Sequence, residues 1–298
     1  MSPLIEPGFF SSAPVHVALA LGTIVAVVSA LVGTFTVIRG QAFAGHALSD
    51  IGTAGGSGAI LIGVPTIYGF VAMNLAAAGV MELIGVRRPR GRDVATGIVL
   101  GASLGLAALF LYWDTTYSST TGATLNVLFG SIFTISGSSI PVIAILGAAT
   151  VVIMIVLYRP LLLSSVSYDL AAARGVPVRL VGIGYLLALA IAVSLSAITI
   201  GAILSTALLI GPPATALRCT KRTGPAIGVA ATIGVIATWL GILLAYDSAS
   251  WSAHGQGWPV SFCIVILIFT VYVAASVLAP RSGHNRVEQG HHDHREPV

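Results

Sequence analysis

The stretch that decides the fold is residues 15–38, VHVALALGTIVAVVSALVGTFTVI, which contains no Asp, Glu, Lys or Arg and ends at Arg39. A helix that crosses a bilayer needs about 20 mostly apolar residues, so this stretch is long enough to span a membrane. Further apolar stretches follow at residues 42–63, 65–86, 94–113, 141–158, 180–198, 200–217, 224–246 and 259–279. The pattern predicts an all-α protein, a polytopic membrane helix bundle of about nine hydrophobic helices.

The composition excludes most other classes of protein. Of the 298 residues, 56% are hydrophobic and 8% are charged, whereas about 25% of a soluble domain is charged. This rules out a soluble enzyme and a disordered chain, and two cysteines are too few for a disulfide scaffold. We predict one membrane domain over residues 1–280, followed by a His-containing cytoplasmic tail at 281–298 that is expected to be disordered.

The basic residues predict the orientation of the bundle. If each apolar stretch crosses the membrane once, all 14 Lys and Arg residues fall on the same side. They include Arg39, the cluster at residues 87–92 and the basic residues of the tail. Because positive residues mark the cytoplasmic side, we expect the N-terminus outside and the C-terminus in the cytoplasm.

Two regions are expected to depart from simple spans. The region 114–140 contains a short apolar run at 127–135, which is too short to cross and predicts a re-entrant or surface helix. The region 180–217 has almost no loop near Thr199. It is predicted to form either two separate helices or one broken hairpin.

Polar residues interrupt the second apolar stretch. His46 and Asp50 lie one helical turn apart, and Thr53 and Ser57 are expected to continue the same face. Counted from Arg39 at 1.5 Å per residue, the imidazole and the carboxylate lie about 10 and about 16 Å deep in a core about 30 Å thick. Ionisable groups at that depth generally face a transport pathway or a partner.

Three interpretations of His46 and Asp50 are open on the residues alone. The pair can satisfy itself and hold two helices together, it can coordinate a cation, or it can relay protons. We favour the cation site, because imidazole and carboxylate suit Zn, Mn or Fe, whereas Cu(I) prefers Cys or Met. The tail histidines His284, His291, His292 and His294 are expected either to bind metal weakly or to form an ordinary solvated tail.

The sequence does not have the features of an ATPase or a hydrolase. Lys221 is the single lysine, and no glycine-rich phosphate loop precedes it. Gly101, Ser103 and Gly105 match a hydrolase nucleophile motif, but they lie inside an apolar span rather than between a strand and a helix. With Gly97, these glycines are better explained as a small-residue stripe that lets two membrane helices approach closely. We therefore predict no enzymatic activity in this chain.

A short segment after Arg159 has the features of a docking helix. Asp169 is expected to cap a helix that ends at Gly175. Its residues are Leu170, Ala171, Ala172, Ala173 and Arg174. A small apolar helix in the cytoplasm suits a groove on a partner protein, although an ordinary surface loop is the alternative.

Four segments resemble the membrane permease subunits of bacterial ATP-binding-cassette importers for divalent metals, the zinc, manganese and iron group. They are residues 39–50 (RGQAFAGHALSD), 128–132 (LFGSI), 169–179 (DLAAARGVPVR) and 201–216 (GAILSTALLIGPPATA). Their order and spacing fit the family over roughly residues 15–280. The family usually has Asp four residues before His, whereas His46 precedes Asp50 here, so the same ligand types stand in exchanged positions.

The resemblance implies a set of partners. It implies a homodimeric or paired permease in the bacterial inner membrane, a separate cytoplasmic ATPase that contacts residues 169–179, and an extracytoplasmic metal-binding protein that delivers the ion. No nucleic-acid partner is expected. The metal is expected to pass near His46 and Asp50 as a transported substrate, with no stably bound cofactor.

The resemblance also implies a function. We expect an importer permease, with zinc as the first cargo on account of the His-rich tail, then manganese or iron. The alternatives are a secondary transporter or proton-coupled carrier that needs no ATPase, and a permease of the same architecture for a metal chelate or another solute.

Overall fold

The computed structural model describes residues 9, 12–84, 89–118, 127–130, 132–133, 135, 137–220, 222–251 and 257–278. In these residues the chain is helical and contains no strand. The long helices are α1 (Ala13–Ile38), α2 (Ala42–Leu61), α3 (Thr66–Ile84), α4 (Pro89–Trp113), α5 (Ile140–Val166), α7 (Val178–Ile200), α8 (Ala202–Cys219), α9 (Thr223–Trp251) and α10 (Val260–Leu278). A short helix, α6 (Tyr168–Ala173), lies between α5 and α7.

The prediction of a polytopic helical bundle is confirmed. Seven of the described helices are long and apolar enough to cross a membrane. The other two long helices are α2, which carries the polar stripe, and α3, whose apolar part Thr66–Glu82 is shorter. Hence the count of about nine crossings, like the orientation of the two termini, stays a prediction.

The helices α1 and α7 form the centre of the bundle. In their most apolar windows 56% of α1 and 67% of α7 is buried. The helices α3, α5 and α8 pack against α7, while α5, α8 and α9 pack against α1. By contrast, the buried share of the most apolar window is 17% in α4 and 22% in each of α5 and α10. These outer helices expose the apolar side chains that a bilayer covers.

Close helix contacts occur at glycines other than those expected. A Cβ on Gly55 of α2 would lie 2.1 Å from the carbonyl oxygen of Gly69 on α3, so the two backbones touch. Around Gly97, Gly101 and Gly105 of α4, an added Cβ would meet no atom within 4 Å. The predicted close approach at these three glycines is therefore wrong for contacts within one chain, because α4 lies on the outside of the bundle.

A sharp junction joins α7 and α8. The two helices are separated by Gly201 alone, which has φ 98° and ψ 151°. The region 180–217 thus forms two helices that are separated by one residue, close to the position expected near Thr199. Gly130, from the region 114–140, packs against the junction: a Cβ on Gly130 would lie 2.4 Å from the amide nitrogen of Gly201. The described parts of that region form a π-helix, Asp114–Ser118, a helical turn at 127–129 and a 3-10 turn, Gly137–Ser139, so they contain no complete re-entrant helix.

Candidate metal site

The two predicted ligands lie on α2, in the first half of the helix. His46 Nε2 is 3.6 Å from Asp50 Oδ2, because residues four apart on a helix stand above one another. The side chain of His46 is 48% exposed and that of Asp50 is 20% exposed. The structure thus brings the imidazole and the carboxylate together on a side of α2 that a single chain leaves partly open.

The helix α8 contacts the same part of α2 through hydroxyl groups. His46 Nδ1 lies 3.2 Å from Thr206 Oγ1. One turn further along α2, the hydroxyls of Ser49 and Ser205 are 2.5 Å apart. Ser49 also donates to the carbonyl oxygen of Ala202. These bonds hold the ligand-bearing face of α2 against the first turns of α8.

Sequence reasoning did not identify Thr206 as a contact of His46, or Ser49 and Ser205 as a bond between the same two helices. Their signal was present: Ser49 lies three residues after His46, and the two α8 residues fall in the segment 201–216 that resembles the metal permeases. What the sequence did not show is that α8 packs beside α2 at this level.

Thr53 and Ser57, which were expected to continue the helix face of His46 and Asp50, bond to the backbone of their own helix. The Thr53 hydroxyl donates to the carbonyl oxygen of Asp50 at 2.5 Å, and the Ser57 hydroxyl donates to the carbonyl oxygen of Thr53 at 2.6 Å. Both side chains are buried. Hydroxyls on a helix readily bond to the preceding turn, so these two groups are satisfied by their own helix.

His46 and Asp50 are fewer groups than a metal ion needs, and the described residues place no third candidate ligand beside them. In the described ranges, no three His, Cys, Asp or Glu side chains lie close enough together to hold one metal ion. Divalent transition metals usually take four or about six ligands. His46 and Asp50 therefore leave coordination positions open to water or to another chain. The tail residues His284, His291, His292 and His294 lie outside the described residues.

The expected docking helix is present with a different cap. The Ser167 side chain accepts a hydrogen bond from the Leu170 amide at 3.3 Å. Asp169, which was expected to be the cap, lies in the first turn of α6. The prediction that it caps the helix is therefore wrong: Ser167 has the extended backbone of a cap residue, whereas Asp169 is already helical.

Most of the segment that was predicted to dock a partner is exposed. Ala171 is fully buried and anchors α6, which packs against α5 and α7. The exposed residues are Asp169, Leu170, Ala172, Ala173, Arg174 and Gly175. The segment thus presents a mixed apolar and charged surface, with Leu170 44% exposed at its start.

A buried tyrosine lies where three helices meet. The hydroxyl of Tyr185 on α7 lies 2.8 Å from Thr36 Oγ1 on α1. The guanidinium of Arg39 lies 5.3 Å from the centre of the Tyr185 ring and donates to Ser164 on α5 at 3.0 Å. Sequence reasoning missed Tyr185, although a tyrosine within an otherwise aliphatic span is a visible signal.

Comparisons with known proteins agree with the architecture. The profile of the ABC 3 transport family matches residues 13–279. Manganese transport system membrane protein MntC of Halalkalibacterium halodurans is 29% identical over 269 residues, which cover 89% of this chain and 87% of that protein. Manganese import system permease protein ScaB of Streptococcus parasanguinis is 26% identical over 269 residues, covering 90% of this chain and 92% of that protein.

A solved structure has the same fold. The structure of PsaBC from Streptococcus pneumoniae in complex with Fab matches with a TM-score of 0.77 and 26% sequence identity. The match covers 92% of this chain and 94% of that chain. The family profile spans nearly the whole described bundle. The chain therefore belongs to the ABC 3 transport family and is a multi-pass protein of the bacterial inner membrane.

Proposed function

We propose that this chain is the membrane-spanning permease subunit of an ATP-driven importer of a divalent metal ion. The observation that carries the proposal is the pair His46 and Asp50, 3.6 Å apart and partly exposed within an apolar bundle. Translocon-based scales assign a cost of about 2.5–3.5 kcal/mol to an Asp at the centre of a membrane helix. Ionisable groups at such positions generally mark a substrate or ion pathway, a proton relay or a paired partner.

Manganese is the first candidate cargo. The relatives are named as manganese transport and manganese import permeases. Imidazole and carboxylate are both ligands that Mn²⁺ accepts, and neither excludes iron or zinc. Zinc was expected first because of the His-rich tail, but that tail lies outside the described residues. The relatives' names therefore outweigh that expectation.

A second copy of the chain would complete the metal site. The side chain of His46 is 48% exposed on its own chain. Contact between this polar ring and lipid would be energetically costly. Two copies related by a two-fold axis present the same surface to each other. With His46 and Asp50 from each, such a dimer would offer two imidazoles and two carboxylates to one ion.

A separate ATPase would supply the energy through α6. The exposed surface of α6 suits a groove on a cytoplasmic partner, and α7 starts a few residues after α6 ends. Arg179, near the start of α7, lies 3.9 Å from Glu82 on α3. A displacement of α6 would therefore reach α7 directly and α3 through this pair. An extracytoplasmic binding protein would deliver the ion from the other side.

Elemental analysis of cells tests the proposal. In a strain that lacks this chain, we expect cellular manganese to fall, while a plasmid carrying the wild type restores it and one carrying Asp50→Ala does not. Ser57→Ala is the matched control, because Ser57 lies on the same helix and its hydroxyl bonds to its own backbone. This variant should restore manganese.

Other outcomes identify a different function. If zinc or iron falls instead of manganese, the metal site stands and the cargo assignment is wrong. If no metal changes, the chain carries another solute. If Asp50→Ala restores manganese fully, His46 and Asp50 do not form the transport site.

A further inference from the structure

We propose that Thr206 is a positioning residue for His46: its hydroxyl accepts a hydrogen bond from the imidazole Nδ1–H and thereby presents the Nε2 lone pair to the transported ion. The inference rests on the proposed role of His46 and Asp50 in metal transport. It adds a residue from a second helix to the site and states what that residue does.

The geometry provides one partner for each ring nitrogen. Nδ1 lies 3.2 Å from Thr206 Oγ1, and Nε2 lies 3.6 Å from Asp50 Oδ2. The distance between Nε2 and the carboxylate is longer than a normal hydrogen bond. Nε2 and the carboxylate therefore face each other, while Nδ1 faces α8.

The chemistry of imidazole fixes which nitrogen is available. A neutral imidazole carries one N–H and one lone pair. If Nε2 binds the ion, the proton is on Nδ1, and that N–H needs an acceptor in an apolar environment. Histidines that bind metals generally donate their second N–H to such an acceptor. The described contact for Nδ1 is the hydroxyl of Thr206.

Loss of that acceptor would favour the wrong tautomer. With valine at position 206, a proton on Nδ1 would have no partner on α8, whereas a proton on Nε2 could be donated to Asp50. The lone pair would then face away from the carboxylate. The ion would have to shift this equilibrium before it could bind both groups.

A second side-chain contact joins the same two helices beside Thr206. Ser205 bonds to Ser49, so the first turn of α8 is tied to α2 one turn beyond His46. Removing the Ser205 hydroxyl breaks a bond between the same two helices and leaves the contact between His46 and Thr206 in place. A purely structural role for Thr206 therefore predicts similar defects for Thr206→Val and Ser205→Ala.

Nitrogen NMR of the full chain tests the role. The protein is labelled with ¹⁵N-histidine in lipid nanodiscs, Zn²⁺ is added as a diamagnetic probe ion, and the His46 signals are assigned by comparison with His46→Gln. In the wild type and in Thr206→Ser, we expect Zn²⁺ to shift the Nε2 signal while Nδ1 keeps its proton. In Thr206→Val, we expect weaker Zn²⁺ binding and a mixture of the two tautomers.

Uptake of Mn²⁺ by cells gives the second measurement. Replacing the partner of a metal-binding histidine typically reduces metal affinity or activity about 10–100-fold. We therefore expect KM for Mn²⁺ to rise at least about tenfold in Thr206→Val and to stay near the wild-type value in Thr206→Ser. Thr215→Val is a matched control on α8, because the Thr215 hydroxyl bonds to its own helix, and it should transport normally.

Three results would overturn the proposal. The first is that His46 has the same tautomer in Thr206→Val as in the wild type. The second is that Thr206→Val and Ser205→Ala show equal defects in Zn²⁺ binding and Mn²⁺ uptake. In both cases the proposed function would stand. If Zn²⁺ shifts no His46 signal even in the wild type, the metal site itself is wrong, and the role of Thr206 is lost with it.

Discussion

Replacing Gly201 with alanine tests whether the junction between α7 and α8 fixes the position of the site. Gly201 alone connects the two helices and has φ 98° and ψ 151°. This backbone region is essentially restricted to glycine. The first turns of α8, which follow directly, carry Ser205 and Thr206. A strained or displaced junction would therefore move the α8 side of the site away from α2.

The structure gives the size of the effect. Holding a residue in such a sparsely populated backbone conformation costs about 1–3 kcal/mol. The added Cβ would also lie 2.3 Å from the carbonyl carbon of Phe129 and 2.5 Å from the amide nitrogen of Gly130. These are backbone atoms, which cannot rotate away, and overpacking typically costs about 1–3 kcal/mol. We expect Gly201→Ala to lower the free energy of unfolding by about 2–6 kcal/mol.

Equilibrium unfolding of the purified full chain in mixed detergent micelles measures this loss through tryptophan fluorescence. Gly182→Ala is the matched control: Gly182 lies within α7, and a Cβ there would meet no atom within 4 Å. The control should unfold like the wild type, and cells carrying it should take up Mn²⁺ normally. If Gly201→Ala lies within about 0.5 kcal/mol of the wild type, an effect typical of neutral surface changes, the argument for a fixed junction is refuted.

Three further substitutions probe the contacts that support the site. Gly55→Ala places a Cβ 2.1 Å from the carbonyl oxygen of Gly69 and should lower the free energy of unfolding of the purified protein. Gly79→Ala, whose Cβ would meet no atom within 4 Å, should leave that free energy unchanged. Ser167→Ala removes the cap of α6 and should destabilise that helix by about 0.5–2 kcal/mol. Less ATPase should then co-purify with this variant than with the wild type, whereas Ser167→Thr should co-purify as much as the wild type does. If Ser167→Ala co-purifies as much ATPase as the wild type, a docking role for α6 is contradicted. Asn74→Ala removes the 2.9 Å hydrogen bond from α3 to α7 and should cost about 0.6–1.7 kcal/mol in unfolding experiments, the range for interhelical hydrogen bonds in membranes; no loss would mean that this bond does not stabilise the bundle.

The helices were largely predictable because each depends on a local property of the chain. The first apolar stretch, residues 15–38, corresponds to α1 at Ala13–Ile38. The i, i+4 spacing of His46 and Asp50 likewise follows from helical geometry alone, and the two side chains meet as expected. The extended backbone that makes Ser167 the cap of α6 is equally local, but the sequence does not reveal that the helix already includes Asp169, which was expected to be the cap.

What could not be predicted depends on which helices become neighbours. The glycines of α4 have the spacing of a packing stripe, yet α4 lies on the outside of the bundle. Thr206 becomes part of the site because α8 packs against α2, a contact between residues 160 positions apart in the chain. Thr53 and Ser57 share the helix of the ligands but bond to its backbone, an alternative that periodicity does not reveal.

The most direct test of the central claim is Mn²⁺ uptake into liposomes that contain the full chain together with its ATPase and metal-binding protein. We expect Mn²⁺ to enter only when ATP is supplied and hydrolysed, and we expect Asp50→Ala to abolish entry while the ATPase still co-purifies. Entry of Mn²⁺ through the chain alone, without ATP or partners, would contradict it and would indicate a secondary carrier. Undiminished ATP-driven uptake by Asp50→Ala would contradict the proposed site.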